Sequence, residues 1–206
     1  MKTLSRGWRR HLHRFQRLRR RLAGGQDPKV FCLSCCDSRV SVHEIFDLDE
    51  PGTIFEAKNV GGLFSQEAKA ALVMALTHLK PDYVVVLHHT ACGGYRSTGE
   101  DVEPEIRQHM VENSGFHARV RVDGYLAGNN LEIPSELMER LVVEEGCRIQ
   151  TESMISFLML HYPRQYKEVK EGRPKIIPLI YETSSGRVYH VPKRLDGSEK
   201  MAREEF

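Results

Sequence analysis

Residues 83–94 read YVVVLHHTACGG, and the first five, Tyr83–Leu87, are the strongest indication of the fold class. The β-branched run Tyr83–Leu87 is typical of a strand in the middle of a parallel sheet, where both faces are buried. It follows Gln66–Leu79, an alanine- and leucine-rich segment that stops before Pro81 and predicts a helix. A helix that leads into a buried strand indicates a βαβ unit, so we expect an α/β fold.

The neighbouring segments repeat this alternation. Short apolar runs at Lys29–Cys35 and Thr53–Ala57 predict two more strands, with a short helix over Ser38–Leu48 between them. Near the other end, Ile176–Val191 predicts two strands joined by a Ser-Ser-Gly turn. The predicted fold is a mainly parallel central sheet flanked by helices, with a C-terminal antiparallel hairpin and an N-terminal amphipathic helix.

The polar stretch from residue 97 to residue 146 carries weaker signals. It predicts helices at Pro104–Glu112 and Pro134–Glu145, separated by a glycine- and asparagine-rich loop at Asp123–Asn130. A further helix is predicted at Cys147–Leu160.

Composition points to a soluble globular domain in a reducing compartment. The 206 residues suit one well-buried domain, and 40% hydrophobic and 28% charged residues are ordinary values. Three of the five cysteines fall within five positions, which argues against a secreted disulfide framework and for free or metal-bound thiols. No apolar run is long enough for a membrane span and no secretory signal is found, so we expect a cytoplasmic protein.

The first 26 residues differ from the rest in charge. Residues 1–26 contain no acid and carry a net charge of +9, whereas residues 27–206 carry −7. The apolar residues of this head recur at three- and four-residue steps: Leu4, Trp8, Leu12, Phe15, Leu18 and Leu22. We therefore expect a basic amphipathic helix over residues 1–26, ended by Gly24-Gly25, and a separate domain over residues 27–206.

This basic helix has three possible roles. It could bind nucleic acid or anionic lipid, or it could act as an organelle transit peptide, since such peptides are arginine-rich and poor in acids. It could also pack its apolar stripe on the acidic body or on a partner subunit. We expect packing, and no nucleic-acid partner, because an apolar stripe needs burial whatever its charges do.

Chemically reactive side chains follow two of the predicted strands. Cys35 to Arg39 read CCDSR after the first strand, and His88 to Gly94 read HHTACGG after the third. Open α/β sheets bind their ligands at the carboxyl ends of the strands. Thiolate and imidazole groups that converge there fit a zinc site, and catalytic zinc takes three protein ligands with a fourth position open.

The crowded cysteines allow other interpretations. Cys32-x-x-Cys35 could be a redox pair, but Cys32 lies within the predicted strand and not at the start of a helix. Cys36 should point away from Cys35 if the strand continues, so we expect it in the core. Cys147 has no partner nearby in the sequence and is expected to be structural.

Three motifs in this order resemble the β-class carbonic anhydrases. They are Cys35-x-Asp-Ser-Arg, a second strand that ends in Asn59-x-Gly, and His89-x-x-Cys-Gly-Gly. The stretch HEIFDLDEPGTIFEAKNVGG between them and the C-terminal IIPLIYETSSGRVYHV are also similar to that family. The resemblance covers residues 29–191.

The resemblance implies that Cys35, His89 and Cys92 bind Zn²⁺ and that Asp37 and Arg39 form a catalytic pair. It implies reversible hydration of carbon dioxide to bicarbonate and a proton, by attack of zinc-bound hydroxide. It also implies a homodimer or a higher homo-oligomer, in which the apolar stripe of the head could be buried.

Some positions depart from the family pattern. Lys58, Val60 and Cys36 stand where the family usually has arginine, alanine and a small polar residue. His88-His89-Thr90 resembles a branch of the family that includes hydrolases of carbonyl sulfide and carbon disulfide. These two compounds therefore stay open as alternative substrates. A zinc-binding homologue without catalytic activity is the third possibility. Of the two histidines, only His89 has the His-x-x-Cys spacing.

Overall fold

The computed structural model describes residues 2–96 and 115–191. The helix predicted at Pro104–Glu112 lies outside these residues. Within them, no helix is long and apolar enough to cross a membrane.

A five-stranded sheet forms the centre of the molecule, in the order β2-β1-β3-β4-β5. Its strands are β1 (Val30–Cys35), β2 (Ile54–Asn59), β3 (Tyr83–His89), β4 (Lys175–Tyr181) and β5 (Val188–His190). Neighbouring strands run parallel except β4 and β5, which pair antiparallel. The predicted fold class, a mainly parallel sheet with a C-terminal antiparallel hairpin, is confirmed.

In the described residues, helices and a 3₁₀ turn connect and flank the strands. They are α1 (Lys2–Arg14), α2 (Gln16–Leu22), α3 (Val42–Ile45), the 3₁₀ turn Val60–Gly62, α4 (Gln66–Met74, continued by a π-helical turn at Ala75–Leu79), α5 (Gly93–Arg96), α6 (Gly115–Gly128), α7 (Ser135–His161) and α8 (Pro163–Lys170). The Ser65 hydroxyl caps α4 by accepting a hydrogen bond from the Ala68 N–H.

The sheet has a core on each face. On one face, the buried side chains of β1 and β3 pack with α4 and α7; this cluster includes Phe31, Leu33, Val84, Val86, Leu72, Met154 and Leu158. On the other face, Cys32, Val85, Leu87, Ile177 and Leu179 pack under the short segment that contains Val40, Val42 and Phe46. Because β1 and β3 are buried on both faces, they read as continuous apolar runs.

Two predictions in the polar region are wrong. The loop expected at Asp123–Asn130 is replaced by helix as far as Gly128, where α6 ends. The helix persists because Ala118, Val122 and Leu126 recur at four-residue steps and are buried in one cluster with Val142 of α7. The helices predicted at Pro134–Glu145 and Cys147–Leu160 form the single helix α7, since glycine between them weakens a helix without ending it.

The head and the segment after β1 are less regular than predicted. The single helix expected over residues 1–26 is interrupted at Phe15, whose φ of −118° and ψ of 25° are not helical. Leu22 of α2 is half-buried against Gly52, whereas Leu4 and Trp8 of α1 are 79% and 61% exposed. Of the helix predicted over Ser38–Leu48, only the single turn α3 forms.

The contact between α7 and α5 generates a prediction for stability. A Cβ on Gly146 would lie 2.2 Å from Cε1 of Tyr95, whose ring is partly buried, so Gly146→Ala must displace the ring or the helix. We expect Gly146→Ala to lower the free energy of unfolding by about 2–3 kcal/mol, as overpacking does. The measurement is the midpoint of urea denaturation.

Gly124→Ala is the matched control, because Gly124 also lies inside a helix but a Cβ added to it would have no atom within 4 Å. It should raise the free energy of unfolding by about 0.5–1 kcal/mol, the usual gain from alanine in a helix. Equal midpoints for Gly146→Ala and the unchanged protein would contradict the packing described for Tyr95.

Candidate metal centre

The carboxyl ends of β1 and β3 bring three ligand residues together. Cys35 is the last residue of β1, His89 is the last of β3, and Cys92 follows three positions later. Their ligand atoms all lie within 4.8 Å of one another, and all three residues are buried. Within the described ranges, this is the set of histidine, cysteine and acidic side chains arranged to hold a metal ion.

The two thiols interact directly. The sulfur atoms of Cys35 and Cys92 are 3.9 Å apart, and the Gly61 N–H donates to Cys35 Sγ at 3.3 Å. The hydrogen bond from the Cys92 thiol, with backbone N–H groups in support, lowers the pKa of Cys35 despite its burial. The pKa of Cys92 is raised because it shares its proton with Cys35. The contact between the two sulfur atoms therefore favours the thiolate of Cys35, and thiolate is the form that binds a metal.

A tight loop after β2 supplies the Gly61 N–H. The Asn59 side chain holds this loop by accepting from the Leu63 N–H at 2.6 Å and donating to the Leu63 carbonyl at 2.8 Å. The loop contacts the backbone after Cys92, since a Cβ on Gly94 would lie only 3.2 Å from Gly61 N and Cα. The Asn59-x-Gly and Cys-Gly-Gly motifs thus meet as backbones in close contact.

His89 presents one ring nitrogen to the two cysteines. Nδ1 lies 2.9 Å from the carbonyl oxygen of Thr90, which can only accept, so Nδ1 carries the proton. Nε2 is buried and has no hydrogen-bond partner in the part of the chain that the structure describes. A buried nitrogen lone pair beside a thiolate fits a metal ion that prefers nitrogen and sulfur ligands.

Asp37 and Arg39 form a charged pair at the edge of this cluster. The guanidinium donates to both carboxylate oxygens at 2.9 and 2.7 Å, and the Arg39 N–H donates to Oδ1 at 2.9 Å. These hydrogen bonds, with His89 nearby, hold the pKa of Asp37 well below its ordinary value. Asp37 Oδ2 lies 3.8 Å from His89 Nε2, so an ionised carboxylate faces the ligand set.

The remaining cysteines and the second histidine lie elsewhere. His88 is buried with its ring 5.4 Å from that of Tyr95, and burial lowers the pKa of His88 to about 4, so it is neutral at neutral pH. Cys32 and Cys147 are buried thiols of the core, as predicted. The prediction of a core position for Cys36 is wrong: it is exposed, because β1 ends at Cys35 and the alternation of a strand no longer applies.

Two residues that hold the site in place were not predicted from the sequence. Ala91 has a left-handed φ of 56°, and its carbonyl accepts from Arg39 Nη2 at 3.1 Å, which ties the charged pair to the loop between His89 and Cys92. Thr183, in the turn between β4 and β5, forms hydrogen bonds with Thr90. Neither has a sequence signal, because these contacts join segments 52 and 93 positions apart.

Comparisons with known proteins agree with this geometry. Among curated relatives, the chain is 28% identical over 172 residues to β-carbonic anhydrase 6, mitochondrial, of Arabidopsis thaliana, covering 79% of the chain and 56% of the relative. It is 34% identical over 134 residues to a carbonic anhydrase of Emericella nidulans, covering 62% of the chain and 57% of the relative. The chain thus spans a little over half the length of both relatives.

Solved structures of the same family have a similar fold. The structure of one of two tetrameric β-carbonic anhydrases of Sordaria macrospora matches with a TM-score of 0.70 at 20% identity, covering 92% of each chain. The sequence profile of the carbonic anhydrase family matches residues 30–188, a range that includes both strand ends and the hairpin. On these grounds the chain belongs to the β-class carbonic anhydrase family.

Proposed function

We propose that the chain catalyses the reversible hydration of carbon dioxide to bicarbonate and a proton, with Zn²⁺ held by Cys35, His89 and Cys92. The observation that carries this proposal is the buried cluster of two thiols and one imidazole at the carboxyl ends of β1 and β3. It is supported by membership of the carbonic anhydrase family.

The donor set favours zinc over the metals that prefer oxygen ligands. Thiolate and imidazole ligands suit zinc, whereas magnesium, calcium and manganese prefer oxygen. Three protein ligands leave one position of a tetrahedral site open, which is typical of catalytic zinc. When bound, zinc lowers the pKa of a coordinated water to about 7 and so supplies a nucleophile at neutral pH.

Asp37 and Arg39 have separate tasks in this proposal. The ionised Asp37 carboxylate faces the ligand set and can accept a hydrogen bond from the nucleophile that attacks carbon dioxide. This hydrogen bond orients the nucleophile. Arg39 keeps Asp37 charged and holds both of its oxygens, so the carboxylate stays beside the ligand set. The bond from Arg39 to the Ala91 carbonyl fixes the pair against the loop that carries Cys92.

The protein works, on this proposal, in a reducing compartment such as the cytoplasm. All five cysteines are free thiols, and two of them can bind metal only while reduced. We also propose that residues 1–26 form a basic segment attached to a carbonic anhydrase-like domain over residues 27–206, and that the protein is a homo-oligomer.

The metal ligands can be tested with two cysteine variants. Purified protein should contain about one zinc per chain, and Cys92→Ser should lose most of it. We expect carbon dioxide hydration, followed by stopped flow with a pH indicator, to fall at least ~1000-fold, because water without the metal has a pKa of about 15.7. Cys36→Ser, which changes the exposed neighbouring thiol, should keep both zinc and activity.

The same preparation separates the alternatives. Release of hydrogen sulfide from carbonyl sulfide or carbon disulfide, faster than hydration of carbon dioxide, would overturn the proposed substrate and keep the metal site. Stoichiometric zinc without either activity would indicate a zinc-binding homologue that does not turn over. Absence of zinc, or unchanged activity in Cys92→Ser, would overturn the proposal as a whole.

Arg39→Gln tests the electrostatic role of the charged pair. The folded-state pKa of Asp37 lies below its unfolded value, so the pair stabilises the fold above about pH 3.9 and this contribution is lost as the pH falls through the folded pKa. Arg39→Gln should raise the pKa of Asp37 towards about 3.9, observed by ¹³C NMR of the carboxyl group. Arg39→Gln should lower the free energy of unfolding more at neutral pH than below about pH 3.9.

Arg119→Gln is the control for this experiment. Arg119 also pairs with an aspartate, Asp123, but both side chains are exposed, so the change should alter stability by less than about 0.5 kcal/mol. If Asp37 titrates identically with and without Arg39, the assignment of its ionised state to Arg39 is wrong.

The exposed face of α1 supports the proposed homo-oligomer. Leu4, Trp8 and Leu12 lie four residues apart and are all exposed, although an apolar helix face is normally covered. We expect Trp8→Glu to lower the mass measured by sedimentation velocity at micromolar concentration. Thr3→Glu adds the same charge to another side of α1 and should leave the mass unchanged. Equal masses for both variants and the unchanged protein would show that α1 does not hold the oligomer together.

A further inference from the structure

The orientation of His89 depends on a backbone carbonyl. Thr90 O lies 2.9 Å from His89 Nδ1 and fixes the proton there, which leaves Nε2 as the nitrogen that faces Cys35 and Cys92. Because a carbonyl oxygen can only accept, this contact sets the tautomer, and because it prefers donors near its own plane, its direction orients the ring.

The Thr90 carbonyl stands where the sheet ends. The Thr90 N–H still makes a ladder bond to the Tyr181 carbonyl at 3.0 Å, but the next residue, Ala91, has a φ of 56° and turns the chain away. Ladder pairing therefore does not hold the peptide group between Thr90 and Ala91. A different contact must fix its carbonyl.

Thr183 makes that contact. Its hydroxyl donates to the Thr90 carbonyl at 3.3 Å, and its N–H donates to Thr90 Oγ1 at 3.1 Å. The two hydroxyl oxygens are 3.2 Å apart, so the Thr90 hydroxyl can donate to Thr183 Oγ1. Every donor in these contacts has an acceptor. The Thr183 hydroxyl donates to the carbonyl, the Thr90 hydroxyl donates to Thr183 Oγ1, and the Thr183 N–H donates to Thr90 Oγ1.

We infer that Thr183 is a positioning residue for the metal: its hydroxyl fixes the Thr90 carbonyl, which keeps the proton of His89 on Nδ1 and leaves Nε2 to bind. This inference rests on the proposed role of His89 as a metal ligand. Groups that hydrogen-bond the far nitrogen of a ligand histidine fix its orientation and raise its basicity. Thr183 acts one step further out, on the carbonyl that accepts that hydrogen bond.

Zinc affinity of the full-length protein is the test, measured by competition with a chromophoric chelator. Thr183→Val keeps the shape and the backbone N–H but removes the hydroxyl, and we expect it to weaken zinc binding by about 10- to 100-fold. Thr183→Ser restores the hydroxyl and should bind within about threefold of the unchanged protein. Thr183→Ala removes the hydroxyl without added bulk and serves if the valine variant does not fold.

Thr53→Val is the matched control, because the Thr53 hydroxyl also donates to backbone carbonyls, those of Leu48 and Glu50, away from the metal centre. It should leave zinc affinity unchanged even if it lowers stability. With cobalt in place of zinc, Thr183→Val should also alter the visible ligand-field spectrum, whereas Thr53→Val and Thr183→Ser should reproduce the original spectrum.

The outcomes separate this inference from the proposed function. If the unchanged protein binds no zinc, the proposed function fails. If it binds zinc and Thr183→Val binds equally well, or if Thr183→Ser is as weak as Thr183→Val, or if Thr53→Val weakens binding as much, the role of Thr183 is overturned while the metal site stands.

Discussion

The parallel pairing of β1 with β3 is the constraint on which the metal centre depends. Residues Val30–Ser34 pair with Tyr83–Leu87, so both strands end at the same edge of the sheet and place Cys35 beside His89. A shift of two residues would move one ligand by about 6.6 Å along the strand, more than the 4.8 Å that spans the whole ligand set. A shift of one would turn buried side chains to the opposite face. The cores on the two faces of the sheet therefore also fix the geometry of the site.

Backbone groups hold three of the functional side chains from outside the sheet. The Gly61 N–H reaches Cys35, the Thr90 carbonyl reaches His89, and the Ala91 carbonyl reaches Arg39. Backbone groups are shorter and less mobile than side chains, so a ligand held by them loses little conformational freedom when a metal binds. Their close approach also explains why the motifs around the ligands contain glycine, since a Cβ on Gly94 would crowd the loop that carries Gly61.

Local pattern predicted well the elements whose burial repeats regularly along the chain. The strands Val30–Cys35 and Tyr83–His89 and the hairpin at the C-terminal side were all evident, because burial on both faces selects apolar and β-branched residues. Prediction was poorer where a distant contact, or the exact end of a strand, decides the outcome. The segment up to Gly128 is helical because α7 covers its apolar face, and Cys36 is exposed because the strand stops one residue before it. Turn-forming composition in the first case and strand alternation in the second gave the wrong answer.

The fold class and the family could be predicted from the residue pattern alone, as could the candidate ligands Cys35, His89 and Cys92, from two short motifs about fifty residues apart. This was possible because strand burial and motif spacing are local properties of consecutive residues. The groups that support those side chains, Thr183 among them, could be identified only from the folded chain, because the support comes from backbone atoms and turns up to 93 positions away. Hydrogen bonds of this kind depend on where a carbonyl points in space, and residue identity along the chain does not encode that direction.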